Sequence, residues 1–208
     1  MRAALSRLKK FALLLAVLGF ASSAAGWPEG ADAASSPGFQ YNDITGLRIG
    51  GDFHLTDHRG KPRSLADFRG QVVGVSFGYT HCPDVCPTTL ADLAQAVKRL
   101  GAAGDGVQIL FITVDPARDT QQVLAQYLVA FDPRFLGLRG DDATTAKIAA
   151  AYKADFIVHR HAGGSGHYEV GHTGGIFLID REGRMRLFVG GGRTVDGLVH
   201  DVSLLLRE

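Results

Sequence analysis

The sequence predicts an α/β fold in which helices cover both faces of a mixed β-sheet. Two apolar, β-branched segments, 71–78 and 107–115, have the composition of buried strands, and a segment with helical spacing of apolar residues follows each of them. Strands and helices that alternate in this way build a parallel section. Two later strands, 174–180 and 185–190, are joined by a short turn and add antiparallel pairing.

The first 25 residues have the organisation of an export signal. Four basic residues precede the apolar segment 11–20, and small residues follow it. This order is typical of a secretory signal peptide, with cleavage expected after Ala24 or Ala25. An uncleaved membrane tether is the alternative, because the uncharged stretch 11–27 is near the lower length limit for a membrane span. Either interpretation places the rest of the chain outside the cytoplasm, in the periplasm or on the outer face of the inner membrane.

The remaining chain divides into a linker and one folded domain. Residues 26–40 are rich in Gly, Ala, Ser and Pro and predict a flexible linker, so we expect the domain to cover 41–208. The net charge is +1, and it becomes −3 without residues 1–25, which carry four basic residues and no acidic one. No run rich in Lys and Arg follows residue 10, so the charge pattern does not indicate a nucleic-acid partner.

The domain is predicted to begin with a β-hairpin at 51–62, followed by one helical turn at 64–68. Beyond the first buried strand, a further short strand is expected at 135–140. The spacing of apolar residues predicts four helices, at 90–100, 123–131, 142–152 and 195–205. Asp141 or Asp142 is the expected N-cap of the third helix.

Both cysteines of the chain lie in the segment GYTHCPDVCP at 78–87, which leaves the carboxyl end of the first buried strand. Sites in open α/β sheets lie at such strand ends. A helix that begins near Pro83 has Cys82 as its cap and Cys86 one turn inside, so the two sulfurs would converge. The partial positive charge of the helix N-terminus favours thiolates, which predicts that both cysteines are reactive.

Three roles are open to this pair. A structural disulfide would close a loop of only five residues, which contributes about 2 kcal/mol in the chain-entropy model. A dedicated redox pair usually has the spacing C-x-x-C, whereas three residues separate the cysteines here. A metal site is the third role: two thiolates favour Cu(I), zinc or iron–sulfur chemistry, but a structural zinc site needs four ligands and the chain has no other cysteine.

Histidine is the expected third ligand for copper, and four histidines occur within 14 residues. They are His159, His161, His167 and His172. The glycines between them predict a mobile loop that closes over a site. His172 directly precedes the strand at 174–180, which would fix its position. We interpret the more distant histidines as solvated surface residues; these are His54, His58 and His200.

Three segments, FGYTHCPDVCPTTLADL at 77–93, FITVDPARDT at 111–120 and VGHTGGIFLIDREGRM at 170–185, together resemble the Sco/SenC family. This family comprises copper-binding assembly factors for cytochrome c oxidase, which work outside the cytoplasm and are often tethered to the membrane. The resemblance covers residues 52–208. It implies a thioredoxin-like mixed sheet flanked by helices, with the N-terminal β-hairpin as an extension.

By position, the resemblance implies that Cys82 and Cys86 are the thiolate copper ligands and that His172 is the distal histidine ligand. Asp115 matches a family acid near the site and is expected to support the ligands or to dock a partner. His81 precedes the first cysteine and is not a ligand in the family. Asp84 is expected to face solvent or a partner.

The surroundings of the distal histidine depart from the family pattern. The family usually has Asp-His-Ser there, whereas this chain has Gly171, His172 and Thr173. The missing acid is expected to alter loop closure or the affinity for Cu(II). It also leaves His167 as a rival for the role of third ligand.

The resemblance implies a copper metallochaperone that delivers copper to the dinuclear centre of cytochrome c oxidase subunit II, reduces the cysteines of that centre, or does both. Another copper donor and a thiol reductant would be its further partners. An exported thioredoxin-like thiol-disulfide oxidoreductase or thiol peroxidase is the alternative, and neither would need His172. A redox or copper sensor would use the same residues. No catalytic residue is predicted beyond the redox-capable pair Cys82 and Cys86.

Overall fold

In the residues that the structure describes, the strands form two separate sheets. The computed structural model describes residues 38–160, 168–172 and 174–208, all within one compact unit, 35–208. In these residues the strands are β1 (Asn42–Asp43), β2 (Leu55–Asp57), β3 (Pro62–Arg63), β4 (Val72–Gly78), β5 (Val107–Thr113), β6 (Leu136–Arg139), β7 (Phe156–Arg160), β8 (Tyr168–His172), β9 (Ile176–Ile179) and β10 (Met185–Val189). The predicted export signal and most of the predicted linker lie outside the described residues.

The larger sheet is mixed, as predicted. Its eight strands have the order β1-β10-β9-β4-β5-β6-β2-β3, and the pairs β4–β5 and β5–β6 are parallel while the other pairs are antiparallel. All seven residues of β4 are buried, which explains its uninterrupted apolar sequence. The predicted N-terminal hairpin is confirmed as β2 and β3, which extend the sheet beyond β6.

Helices cover both faces of this sheet. The described helices are α1 (Val85–Arg99), α2 (Gln121–Val129), α3 (Asp142–Ala151) and α4 (Val195–Arg207), with short 3-10 segments at Leu65–Phe68 and Gly101–Gly106. Apolar residues of α1, α2 and α4 form one core, and those of α3 pack with the N-terminal hairpin in a second core. The predicted α/β class is therefore confirmed. No helix in the described ranges combines the length and apolarity that a membrane crossing requires.

The start of α1 differs from the prediction. The helix begins at Val85 with Asp84 as its N-cap, so Cys82 lies two residues before the cap rather than at it. Pro87 explains the shift. A helix beginning at Pro83 would need a hydrogen bond from the nitrogen of Pro87 to the carbonyl of Pro83, whereas in the third helical position proline replaces an N–H that has no intrahelical partner. For α3, Asp141 is the cap, and its side chain accepts the N–H of Thr144.

A second sheet occupies part of the segment that was predicted to be a mobile loop. Strands β7 and β8 pair with each other in an antiparallel register that places Phe156 opposite His172. His172 is therefore the last residue of a strand and does not belong to a loop. His159 lies on β7, and His161 and His167 lie outside the described residues.

Candidate metal centre

The cysteine segment joins the carboxyl end of β4 to the start of α1, where sites of α/β sheets are expected. Cys86 is 3% exposed and packs directly on the end of the strand, while Cys82 is partly exposed. A Cβ atom at Gly78 would lie 2.6 Å from the Cys86 Sγ. Only glycine at this strand end therefore leaves room for the buried sulfur.

A buried carboxylate holds the loop that carries Cys82. Asp119 is fully buried and accepts the backbone N–H of Thr80 at 3.0 Å and its hydroxyl at 2.6 Å. The hydroxyl of Thr113, the last residue of β5, donates to the same carboxylate at 2.6 Å. Burial raises the pKa of Asp119, and the threonine hydrogen bonds oppose that rise. The loop is thus attached to the neighbouring strand and does not depend on its own turn geometry alone.

His172 reaches the cysteines from β8. Its Nε2 lies 3.1 Å from the Cys86 Sγ, and its ring meets the ring of Tyr79 edge-on with centroids 5.9 Å apart. The donor atoms of Cys82, Cys86 and His172 all lie within 4.8 Å of one another. Among the His, Cys, Asp and Glu side chains of the described residues, these three form the group whose donor atoms converge closely enough to hold a metal ion.

The electrostatics of Cys86 differ from the prediction. Burial raises the pKa of the Cys86 thiol far above its ordinary value, and the neighbouring Cys82 raises it further. This loss of hydration opposes the predicted activation of Cys86 in the metal-free chain, while a hydrogen bond with the backbone of Tyr79 acts in the other direction. A cation bound between the donors would reverse the balance, because coordination stabilises the thiolate directly.

The donor set suits a soft metal ion. Two sulfurs and one imidazole nitrogen are a combination that Cu(I) accepts, and imidazole also suits Cu(II). A closed zinc site would require a fourth ligand, whereas the convergent group of the described residues has three members. The three donors come from a loop, a helix and a separate strand, so the site forms only when these elements come together.

The other predicted residues take different places. Asp115 is 4% exposed and accepts hydrogen bonds from the side chains of Arg118 and Tyr168, so it lies beside the ligand group and not within it. His81 is exposed, and its Nδ1 is 3.1 Å from the hydroxyl of Thr80. Asp84 is exposed at the start of α1.

Two of the three histidines that were predicted to be solvated surface residues are exposed, and the third is not. The side chain of His54 is 87% exposed, and that of His200 is 43% exposed beside Asp201. His58 differs, because it is half-buried and its Nδ1 accepts the backbone N–H of Gly137 at 3.0 Å. Its role is to join the β2–β3 turn to β6.

The sequence did not indicate a role for Asp119, Arg118, Tyr79 or Tyr168. The first three contact the loop or the strand that carries a donor, and Tyr168 is the first residue of that strand. The segment VDPARDT did contain a signal, since it places two acids directly after a buried strand. The partners of those acids lie up to 53 residues away in the chain, so their contacts were not visible in the local pattern.

A known protein family matches nearly all of the described part of the chain. The profile of a family described as SCO1/SenC matches residues 42–207. The human protein named "Protein SCO2 homolog, mitochondrial" is 41% identical over 157 residues, which is 73% of this chain and 58% of that protein. The chain thus spans less than two thirds of the length of this curated relative.

Solved structures of similar proteins show the same fold. The structure described as Bradyrhizobium japonicum ScoI with copper bound is 39% identical, covers 76% of this chain and 99% of that chain, and gives a TM-score of 0.68. The structure described as yeast Sco1 with copper bound is 31% identical, covers 77% of this chain and 89% of that chain, and gives a TM-score of 0.71. These thioredoxin-like neighbours confirm the predicted fold class.

Proposed function

Because this chain belongs to the SCO1/SenC family, we propose that it is a copper metallochaperone for the assembly of cytochrome c oxidase. The observation that carries the proposal is the convergence of the Cys82, Cys86 and His172 donor atoms within 4.8 Å. Copper is the proposed cargo since two related structures, 39% and 31% identical, are described with copper bound. The proposed acceptor is the dinuclear copper centre of subunit II, with another protein as the copper donor.

The unequal exposure of the ligands suggests how copper would be transferred. Cys86 is buried, and the imidazole of His172 lies against it, so these two ligands would retain the ion within the protein. Cys82 is partly exposed and would be the first ligand that an acceptor thiolate replaces. Binding would displace the protons of both thiols, so the affinity for copper should fall at low pH.

The same pair of thiols supports reduction of the acceptor as a second step of assembly. The Cys82 thiolate would attack an acceptor disulfide and release one acceptor thiolate, forming a mixed disulfide. The Cys86 thiol would then pass its proton to the released acceptor thiolate and attack the Cys82 sulfur. This releases the second acceptor thiolate and leaves a Cys82–Cys86 disulfide, so two electrons pass to the acceptor. A thiol reductant would have to restore the dithiol. A peroxidase role is less well supported, because a peroxidase would not need His172, whose Nε2 lies 3.1 Å from the Cys86 Sγ.

We propose that the protein works in the periplasm or on the outer face of the inner membrane. The basic, apolar and small-residue segments of 1–25 support export, with 11–27 as the tether if cleavage does not occur. Alkaline phosphatase joined after residue 40 should be active in a bacterial host, because that enzyme needs an oxidising compartment to form its disulfides. An inactive fusion that is made at normal levels would contradict export.

Copper transfer to the soluble domain of subunit II tests the proposed function. The copper-loaded protein should metallate that domain when its cysteines are reduced, and the metal-free dithiol should reduce the domain when they are oxidised. His172→Ala should impair copper transfer more than reduction, because the imidazole takes no part in thiol exchange. His54→Ala is the control, since that side chain is exposed and its ion-pair partner is Asp52, which is not part of the donor cluster. Failure of the wild-type protein in both assays would refute the assignment.

A further inference from the structure

The position of His172 depends on contacts between side chains. In the described residues, the sheet of β7 and β8 shares no strand pairing with the eight-stranded sheet. A two-stranded sheet is marginally stable by itself, so contacts with the rest of the protein must place β8. The residues that provide those contacts therefore determine how far His172 lies from the cysteines.

Arg118 makes several of these contacts. Its Nη1 donates to the backbone carbonyl of Tyr168, the first residue of β8, at 3.0 Å. Its guanidinium carbon lies 3.6 Å from the centroid of the Tyr168 ring, which is a cation–π stacking geometry. Its Nε donates to the carboxylate of Asp115, which also accepts the hydroxyl of Tyr168 at 2.6 Å. Arg118, Asp115 and Tyr168 thus connect β8 with the segment that follows β5.

The segment 115–119 is itself well fixed. The N–H of Asp115 donates to the hydroxyl of Thr113 at 3.0 Å, and the N–H of Asp119 donates to the carbonyl of Asp115 at 3.0 Å. Arg118 and Asp119 are adjacent, yet they hold different halves of the donor cluster. Asp119 binds the loop that carries Cys82, while Arg118 binds the strand that carries His172.

Tyr79 gives a second connection between these two halves. The Arg118 guanidinium lies 5.6 Å from the centroid of the Tyr79 ring, and the His172 ring lies 5.9 Å from the same centroid. The hydroxyl of Tyr79 accepts the N–H of Val170 in β8 at 3.4 Å. A change in the position of Arg118 is therefore expected to move both the strand and the aromatic ring against which His172 packs.

We infer that Arg118 is a positioning residue that sets the His172 imidazole over the two cysteines, acting through Tyr168, β8 and Tyr79. Arginine suits this task since its planar guanidinium can stack on a ring and donate to a carboxylate and a carbonyl at the same time, which a lysine cannot do. The effect of Arg118 on copper binding rests on the proposed function. Its effect on the position of the His172 ring does not, because that position can be measured in the metal-free protein.

The test compares four variants with the wild-type protein. Arg118→Gln removes the charge and the stacking. Asp115→Asn combined with Arg118→Gln does the same without leaving a buried carboxylate unpaired, which guards against loss of the fold. Arg118→Lys is the conservative variant. Arg139→Gln is the matched control, because Arg139 donates to the carbonyl of Pro116 in the same segment and not to β8.

Two measurements are made on each variant. The first is copper affinity, together with the imidazole nitrogen couplings in the electron paramagnetic resonance spectrum of the Cu(II) form. We expect the affinity to fall about 10–100-fold in Arg118→Gln and in the double variant, with weakened nitrogen coupling and retained thiolate-to-copper absorption. Arg118→Lys should be intermediate, and Arg139→Gln should match the wild-type protein.

The second measurement needs no metal. Nuclear Overhauser contacts between the rings of Tyr79 and His172 should be present in the metal-free wild-type protein and lost in both Arg118→Gln variants. Unchanged ring contacts together with unchanged copper coupling would overturn the inference. A double-mutant cycle gives a second check. If Arg118 acts through His172, Arg118→Gln should not lower the copper affinity further in a protein that already carries His172→Ala. A loss of affinity as large as in the wild-type background would also overturn the inference. If wild-type protein binds no copper, the proposed function fails, and the ring contacts still decide the role of Arg118.

Discussion

Gly78 shows how a single residue determines the shape of the donor cluster. A Cβ atom at this position would lie 2.6 Å from the Cys86 Sγ and 2.7 Å from the Phe111 ring. Neither neighbour can withdraw easily, because Phe111 is fully buried and Cys86 is 3% exposed. The buried end of β4 therefore specifies glycine through close packing of its neighbours and not through a special backbone conformation.

Gly78→Ala should destabilise the protein by about 1–3 kcal/mol, as overpacking of a core usually does, and it should weaken copper binding by displacing Cys86. Urea denaturation and copper titration measure the two effects. Gly191→Ala is the matched control, because nothing lies within 4 Å of the Cβ that it would add. Equal stability of the two variants would show that the site tolerates a side chain at position 78.

The two cysteines should differ strongly in their reaction with an alkylating reagent. Cys86 is buried and its pKa is raised, so in metal-free protein it should stay unmodified at a pH where partly exposed Cys82 reacts. The unfolded chain loses the Cys86 proton near its ordinary pKa of 9.0 while the native chain retains it, so native stability should fall as the pH rises above that value. Mass spectrometry of alkylated peptides and urea midpoints between pH 7 and about 10 give the test. Modification of both thiols at equal rates would contradict the account.

At the scale of elements, the sequence predicted the sheet and helices better than the surroundings of the site. Apolar strands and amphipathic helices have local patterns, so β4, β5 and the four helices could be recognised. The sheet of β7 and β8 could not, because its two strands depend on contacts such as those of Arg118 and on burial of Val170. Strand β1 was also missed, since two polar residues pair with β10 only in the folded chain.

The loop before α1 should depend on Asp119 more than on its own sequence. Asp119→Ala would leave the N–H of Thr80 and two threonine hydroxyls without their acceptor, at a cost of about 2 kcal/mol or more. Copper affinity should fall as well, because Cys82 would no longer be held near Cys86. Asp196→Ala is the control, since that carboxylate is 80% exposed and its ion pair with Arg99 lies on the surface. Urea midpoints that shift equally in both variants would refute this role.

For the whole molecule, the family resemblance predicted more than the composition did. Composition and periodicity predicted the class of fold and a histidine as third ligand, but the assignment of His172, 86 residues after Cys86, came from the resemblance. The structure adds how that distance is closed: β4 carries the cysteine segment, β8 carries the histidine, and residues 115–119 contact both. The order of strands in the sheet could not be predicted, because the local pattern does not specify which neighbour an apolar strand selects.

X-ray absorption of the copper-loaded protein tests the central claim most directly. One Cu(I) per chain should show two sulfur neighbours and one nitrogen neighbour, and Cys82→Ser, Cys86→Ser and His172→Ala should each remove the corresponding neighbour. His54→Ala, which changes an exposed histidine outside the cluster, should leave the spectrum unchanged. A wild-type spectrum that persists in His172→Ala would contradict the assignment of this ligand, and wild-type protein without bound copper would contradict the account as a whole.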